Sequence, residues 1–279
     1  MSILQNVNNT LGRFFFNNSN NFSNNFYKLM YKKNICNLSY LKYDFIKSYY
    51  NNGYAKLGKL DQKYIDELNA QLIEQKPSNN ENFSFKYKIT PEIYRICKSL
   101  LKNDLKEKIQ ILENYYNQKI IFSFLTISRN YPSVKKSETY SNFFHTDGYV
   151  YNMFKIFVNL HDVKDQNGPL ILVKKNKAKE FLKKYQFKGR HNYNFNFTEN
   201  NDYFFKNTGK KSEMLLANTT ELIHRAGDIL DNNFRDMLFL HFVAYPRKKS
   251  SLFEYENEIF DDKLIKRLSK IKSVKSLLS

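Results

Sequence analysis

The spacing of apolar residues changes once along this chain, near Gln118, and that change constrains the fold more than any other feature. Before it, apolar residues recur every three or four positions; after it, they alternate or run continuously over segments of strand length. In the first part, DFIKSYYNNGYAKLGKLDQKYIDELNAQL reads as a short helix, a strand opening at Gly53 and Tyr54, and an amphipathic helix with Ile65, Leu68 and Leu72 on one face and Asp61 as its N-cap. A further helix is expected from Pro91, which suits a first turn because it has no N–H to leave unpaired; Ile93, Ile96, Leu100, Leu101, Leu105, Ile109 and Leu112 continue its stripe. In the second part, strands are expected at 120–130, 139–146, 154–163, 169–173, 213–218, 221–226 and 236–246. Many short strands after opening helices, with no βαβ rhythm, predict a mainly β (α+β) chain: a mostly antiparallel barrel or sandwich braced by N-terminal helices. Residues 174–211 read as one long polar loop, a length typical of functional lids or of segments without fixed structure.

The 279 residues include 25 Phe and 21 Tyr, enough large aromatics for a substantial core. A formal charge of +18 would suit nucleic acid or an anionic membrane if it were clustered. Lysine is instead spread along nearly the whole sequence, which favours a solvated surface over a nucleic-acid partner. Cys36 and Cys97 lie far apart, with neither metal-ligand spacing nor a disulfide framework, so a reducing, cytoplasmic setting is expected. No apolar run reaches the length of a membrane span.

Three units follow from the texture. Residues 1–43 carry no acidic residue and contain the Asn-rich patch NNSNNFSNNF, which reads as a loosely attached extension, with an organelle transit peptide as the alternative. Residues 44–250 form the expected domain. Residues 251–279 read as a basic amphipathic helix that packs on the domain or lies on a membrane surface.

The stretch FFHTDGY puts His145 and Asp147 on one face of an extended segment, together with Phe143 and Tyr149. By itself, His-x-Asp is more often a hydrogen-bonded polar pair than a metal site. A second stretch, ELIHRAGDILDNNFRDMLFLHF, adds His224 and, eleven residues on, Arg235. Two histidines and one carboxylate make the facial set that holds Fe(II) while leaving positions open. His161 and His241 have no carboxylate at that spacing and read as core or pocket-wall residues; His191, in the long loop, reads as exposed.

Taken together, NNGYAKLGKLDQKYIDELNAQL, FFHTDGY, VNLHDVKDQNGPLILVKKNK and IHRAGDILDNNFR, in that order between Asp44 and Pro246, resemble the phytanoyl-CoA dioxygenase family of iron- and 2-oxoglutarate-dependent oxygenases. The resemblance implies a double-stranded β-helix, a jelly-roll or cupin-like barrel. It implies His145, Asp147 and His224 as iron ligands and Arg235 as the anchor for the distal carboxylate of 2-oxoglutarate, a role that suits a planar, permanently charged guanidinium. It also makes Phe157, Asn159 and Ile127 walls of the co-substrate pocket. Arg129, Tyr149 and Arg225, beside the ligands in sequence, become candidate substrate contacts. The implied activity is O₂-dependent hydroxylation of a small molecule with release of succinate and CO₂; the retained Asp147 argues against halogenation, for which relatives give up the carboxylate. An oxygenase acting on nucleic acid or protein, or a silent barrel that binds a metal or 2-oxo acid, are the alternatives.

Three departures stand out. Phe144 replaces the family's frequent Trp before the first histidine. Ala226 stands where some members use Ser to assist the co-substrate carboxylate. Residues 174–177, KKNK, replace the familiar Pro-Gly-Ser-His turn.

Overall fold

The computed structural model describes residues 36–75, 84–132, 142–147, 153–185 and 201–246. A short 3₁₀ helix, Leu38–Lys42, is followed by α1 (Asp44–Asn52), β1 (Tyr54–Lys59), α2 (Gln62–Ile73), β2 (Ser84–Lys86), α3 (Pro91–Asn103), α4 (Lys106–Tyr116), β3 (Gln118–Asn130), β4 (Met153–Asn159), β5 (Leu170–Val173), α5 (Ala178–Lys184), β6 (Phe204–Lys206), β7 (Glu213–Ala217), β8 (His224–Ala226) and β9 (Arg235–Pro246). The expected extension up to residue 35, the C-terminal helix and His191 lie outside the described residues.

The helical signals in the sequence act locally as expected. The Asp61 carboxylate accepts a bond from Lys63 N–H and caps α2, whose Ile65, Leu68 and Leu72 are buried. Thr90 caps α3, with Pro91 in its first turn. The single helix expected from Pro91 is in fact two, because the chain breaks at Asp104 and Leu105. The stripe hides the break, since Leu105 stays in the core. The break also serves a bond: the Asp104 carboxylate accepts from Asp61 N–H at the start of α2.

The strands form a six-stranded sheet, in the order β1-β7-β4-β9-β3-β2, and a three-stranded sheet, β6-β5-β8. All pairings are antiparallel. The described residues therefore give two separate sheets rather than a closed barrel. Of the expected strand at 139–146, residues 139–141 lie outside the described residues; in the remainder the pairing is one bridge, His145 with His224. The expected strand 221–226 keeps only its last three residues, since Leu222 N–H closes a turn on the Asn218 carbonyl. Within 174–211, the structure shows that the described parts carry α5 and β6 instead of one open loop. Phe181 drives this departure: it is fully buried against Phe144, Tyr203 and Phe204, so a polar-looking segment is tied down by one aromatic anchor.

The large sheet has two different faces. Its helix-side face carries Leu57, Ile127, Ile156, Leu216, Leu238 and Leu240, which join the α2–α4 residues in the main core. The opposite face carries Phe157, Leu215, Ala217 and Met237, which pack with Leu170 and Leu172 of the small sheet. A register shift between Phe122 and Phe124 reverses the alternation along β3: Ile120 and Phe122 face the helices before it, Leu125 and Ile127 after it. Ser128 and Asn130 are thereby turned toward the space between the sheets. No described helix is long and apolar enough to cross a membrane.

Candidate metal centre and adjoining pocket

The space between the sheets contains a cavity of about 160 Å³. His145, Asp147, His224 and Arg235 all line it. The two histidines come from neighbouring segments held by a reciprocal pair of backbone bonds: His145 N–H to the His224 carbonyl at 2.9 Å, and His224 N–H to the His145 carbonyl at 2.8 Å. Asp147 is fixed by its own N–H, which donates to the Thr219 carbonyl at 2.9 Å. These bridges, rather than a regular strand, bring residues far apart in sequence into one cluster.

Ring orientation follows from the hydrogen bonds. Nδ1 of His145 lies 2.7 Å from the Phe143 carbonyl, and Nδ1 of His224 lies 2.9 Å from the Leu222 carbonyl. A carbonyl only accepts, so each Nδ1 carries the proton and each Nε2 keeps a lone pair. Both Nε2 atoms sit 3.8 Å from the same carboxylate oxygen, Oδ1 of Asp147. One donor atom from each residue lies within 4.8 Å of the others, so the set can hold a metal ion. Its chemistry, two imidazoles and a carboxylate with their partners on the outer side, is that of a non-haem iron or similar divalent site.

The other oxygen of Asp147, Oδ2, lies 2.6 Å from Nζ of Lys155 in β4. Burial alone would raise the Asp147 carboxyl; the Lys155 ammonium outweighs it and holds the group well below the usual carboxylate range. Aromatic residues pack behind the ligands. Phe144 is buried, with its ring stacked 5.4 Å from that of Phe204.

Arg235 opens β9 and is 3% exposed. Its guanidinium donates to the Gly168 carbonyl, while Nε has no partner among the described residues. Burial lowers its pKa from 12.5 to about 10. A buried cation with an open donor is chemically suited to pairing with a carboxylate. The QNGPL motif builds its support. Gly168 has φ +63°, and a Cβ there would meet the Gly227 carbonyl at 2.5 Å, so only glycine allows this approach. Asn167 donates to the Phe234 carbonyl at 3.0 Å, tying the turn to the residue before Arg235.

The remaining sequence-derived candidates divide by face. Phe157 lines the cavity. Asn159 is on the same face of β4 but is fully buried beyond it; its Nδ2 donates to the Lys210 carbonyl at 3.4 Å, and Oδ1 has no partner among the described residues. Ile127 is placed on the helix-side face, in the main core, because the β3 register shift gives the cavity face to Ser128 and Asn130. Arg129 also faces away: its Nε donates to Asp236 Oδ1 at 2.7 Å, and its Nη2 pairs with Oδ2. Phe234 lies under the same guanidinium, 4.0 Å away. Arg225 lies between His224 and Ala226 in β8; it reaches the Ala226 carbonyl and Asp228, with its guanidinium 5.4 Å over the Phe144 ring. Tyr149 lies outside the described residues. His161 is half-buried and has both ring nitrogens bonded, its Nδ1 on the Asp162 carbonyl and its Nε2 accepting from Asp236 N–H.

The cavity also includes residues the sequence reading did not select: Ser84, Ser128, Asn130, Lys155, Met237 and Phe239. Two signals pointed to some of them. Arg235, Met237 and Phe239 are spaced by two on one strand. Lys155 is a charge inside the apolar run MFKIFVNL, the same kind of anomaly that singles out His145 and Asp147.

No protein-family model matches the sequence, and no curated protein sequence matches it. The structure is nonetheless similar to solved ones. HygX from Streptomyces hygroscopicus, solved with nickel and 2-oxoglutarate bound, aligns with a TM-score of 0.51 at 12% identity, over 72% of this chain and 86% of that one. Its apo form aligns at 0.50 over 76% and 93%, also at 12% identity. EvdMO1 aligns at 0.50 with 11% identity, over 73% of this chain and 50% of that one. At such identities the likeness shows one thing, that this chain shares their fold.

Proposed function

We propose that the chain is an iron(II)- and 2-oxoglutarate-dependent dioxygenase that hydroxylates a small molecule, with succinate and CO₂ as co-products. The observation that carries this reading is the convergence of two Nε2 lone pairs and one carboxylate oxygen in a cavity that also holds the buried, incompletely bonded Arg235. The fold shared with HygX, a protein solved with nickel and 2-oxoglutarate bound, supports it. So does the motif order that resembles the phytanoyl-CoA dioxygenase family. In this reading the two facing sheets are those of a double-stranded β-helix.

His145, Asp147 and His224 would hold the iron, and Arg235 the distal carboxylate of 2-oxoglutarate. Iron with this co-substrate supplies O₂-dependent oxidation of an unactivated C–H bond. The chain supplies the rest. The backbone carbonyls of Phe143 and Leu222 fix the imidazole tautomers. Phe157, Leu170, Met237 and Phe239 give the cavity an apolar wall. Asn130 stands opposite Arg235 in the β3–β9 ladder, on the cavity side. It is placed to provide the second carboxylate contact that Ala226 lacks.

The test is succinate formation by protein loaded anaerobically with Fe(II), then given 2-oxoglutarate and O₂ with a panel of small molecules. Turnover lost in Asp147→Ala, together with lost iron binding, is the expected result. Unchanged iron binding in Asp147→Ala would remove the triad, and absence of turnover under every condition would leave a binding protein.

A further inference from the structure

The Asp147–Lys155 pair sits where a charge is costly to place. β4 is flanked by β7 and β9, and all seven of its residues are buried. An ammonium in such a strand loses several kcal/mol of hydration and is retained only against an opposite charge. Cross-strand, its neighbours are Ala217 on one side and His241 on the other, neither an anion. Its counter-charge is Asp147, and the contact is selective: Nζ is 2.6 Å from Oδ2, while Oδ1 is the oxygen equidistant from both histidines.

A carboxylate meets a metal through one oxygen or through both. If free to turn, it can present both and consume one more coordination position. A carboxylate whose second oxygen is held by a fixed ammonium presents only the first. The anchor is restrained here because β4 is hydrogen-bonded on both edges and the Lys155 side chain is itself buried, which limits how far the ammonium can follow a turning carboxylate.

We propose that Lys155 is a positioning residue that restrains Asp147 to a single donor oxygen, so that a bound metal keeps room for a 2-oxo acid to chelate. The inference rests on the metal centre proposed above. It explains why a lysine interrupts MFKIFVNL, where an aliphatic residue would satisfy the strand better.

The experiment uses the full chain with Co(II), whose visible absorption reports coordination number, alongside infrared difference spectra of the carboxylate stretches on Co(II) binding. The unsubstituted protein is expected to show the single-oxygen carboxylate pattern. Lys155→Met is expected to shift to the two-oxygen pattern, with an altered visible spectrum. It should also need at least roughly tenfold more 2-oxoglutarate to saturate the spectral response, the scale typical of losing a partner behind a ligand. Lys155→Arg, which keeps a cation at the same place, should stay close to the unsubstituted spectrum. A Lys155→Met protein with unchanged spectra and only a lower melting temperature would overturn the proposal and leave Lys155 a structural ion pair. Should that variant fail to fold, a two-oxygen pattern in the unsubstituted protein overturns it equally, and a single-oxygen pattern supports it. If Co(II) produces no spectrum in the unsubstituted protein, the metal centre itself is refuted, a result separable from all of these.

Discussion

Replacing Arg235 by methionine should move two properties of this protein in opposite directions. The guanidinium is fully buried, its Nε is unpartnered, and its bond among the described residues is to the Gly168 carbonyl. Burial takes its pKa from 12.5 to about 10. At 1.36 kcal/mol per tenfold change in proton affinity, that fall represents roughly 3 kcal/mol of unrelieved desolvation in the ligand-free fold. Methionine fills similar volume without the charge, and such replacements of buried charge are often neutral or stabilising. Losing the Gly168 bond offsets about 1 kcal/mol. The net stability change of Arg235→Met is therefore expected between about zero and +2 kcal/mol, or a few degrees upward in melting temperature.

Co-substrate binding should fall instead. A hydrogen bond to a charged group contributes about 1.5–3 kcal/mol, so the variant should bind 2-oxoglutarate at least roughly ten- to a hundredfold more weakly. Thermal denaturation without ligand and calorimetric titration with 2-oxoglutarate in the presence of Co(II) measure the two effects. A variant that loses several kcal/mol of stability while binding 2-oxoglutarate normally would refute the reasoning: Arg235 would then be a structural cation.

Arg129→Met should behave in the reverse manner, because breaking the buried pair with Asp236 leaves an uncompensated charge and costs about 3–5 kcal/mol; chemical denaturation should show the loss while Co(II) binding is retained. Gly168→Ala forces a side chain against the Gly227 carbonyl at a positive φ, and is expected to lower both the melting temperature and 2-oxoglutarate affinity, since the Gly168 carbonyl braces Arg235. The pH dependence of stability has a definite sign. Burial depresses the pKa of His161, and that of His241 further, from 6.5. The unfolded chain therefore takes up protons first, and the stability these groups contribute is fully present above pH 6.5 and is lost as pH falls through their folded values. Melting temperatures followed downward from about pH 7.5 should drop below that point, and His241→Phe should flatten the slope.

Much of the scaffold is a local matter, and for that reason the sequence carried it. Asp61, Thr90 and Pro91 act on their own helix ends, and apolar spacing places α1, α2 and most strands near their observed positions. The grouping of His145, Asp147, His224 and Arg235 was also reachable, through the His-x-Asp pair, the later His224 and Arg235, and the order of motifs that resemble the phytanoyl-CoA dioxygenase family. What failed was everything set by parity or by distant partners. One register shift at Phe122 and Phe124 moves Ile127 and Arg129 to the helix side and exposes Ser128 and Asn130 to the cavity, and no residue type announces it. The break between α3 and α4 is hidden by a continuous stripe, and α5 exists because Phe181 finds Phe144 and Tyr203.

Sequence alone thus determined the classes of the elements and the chemical types gathered for the site, since periodicity and charge are written residue by residue. Tertiary structure alone decided which oxygen of Asp147 faces the histidines and which meets Lys155, and it left the buried Arg235 with no ion pair among the described residues. Those outcomes depend on distances between strands remote in the chain. Backbone pairing fixes such distances only once both sheets are in place.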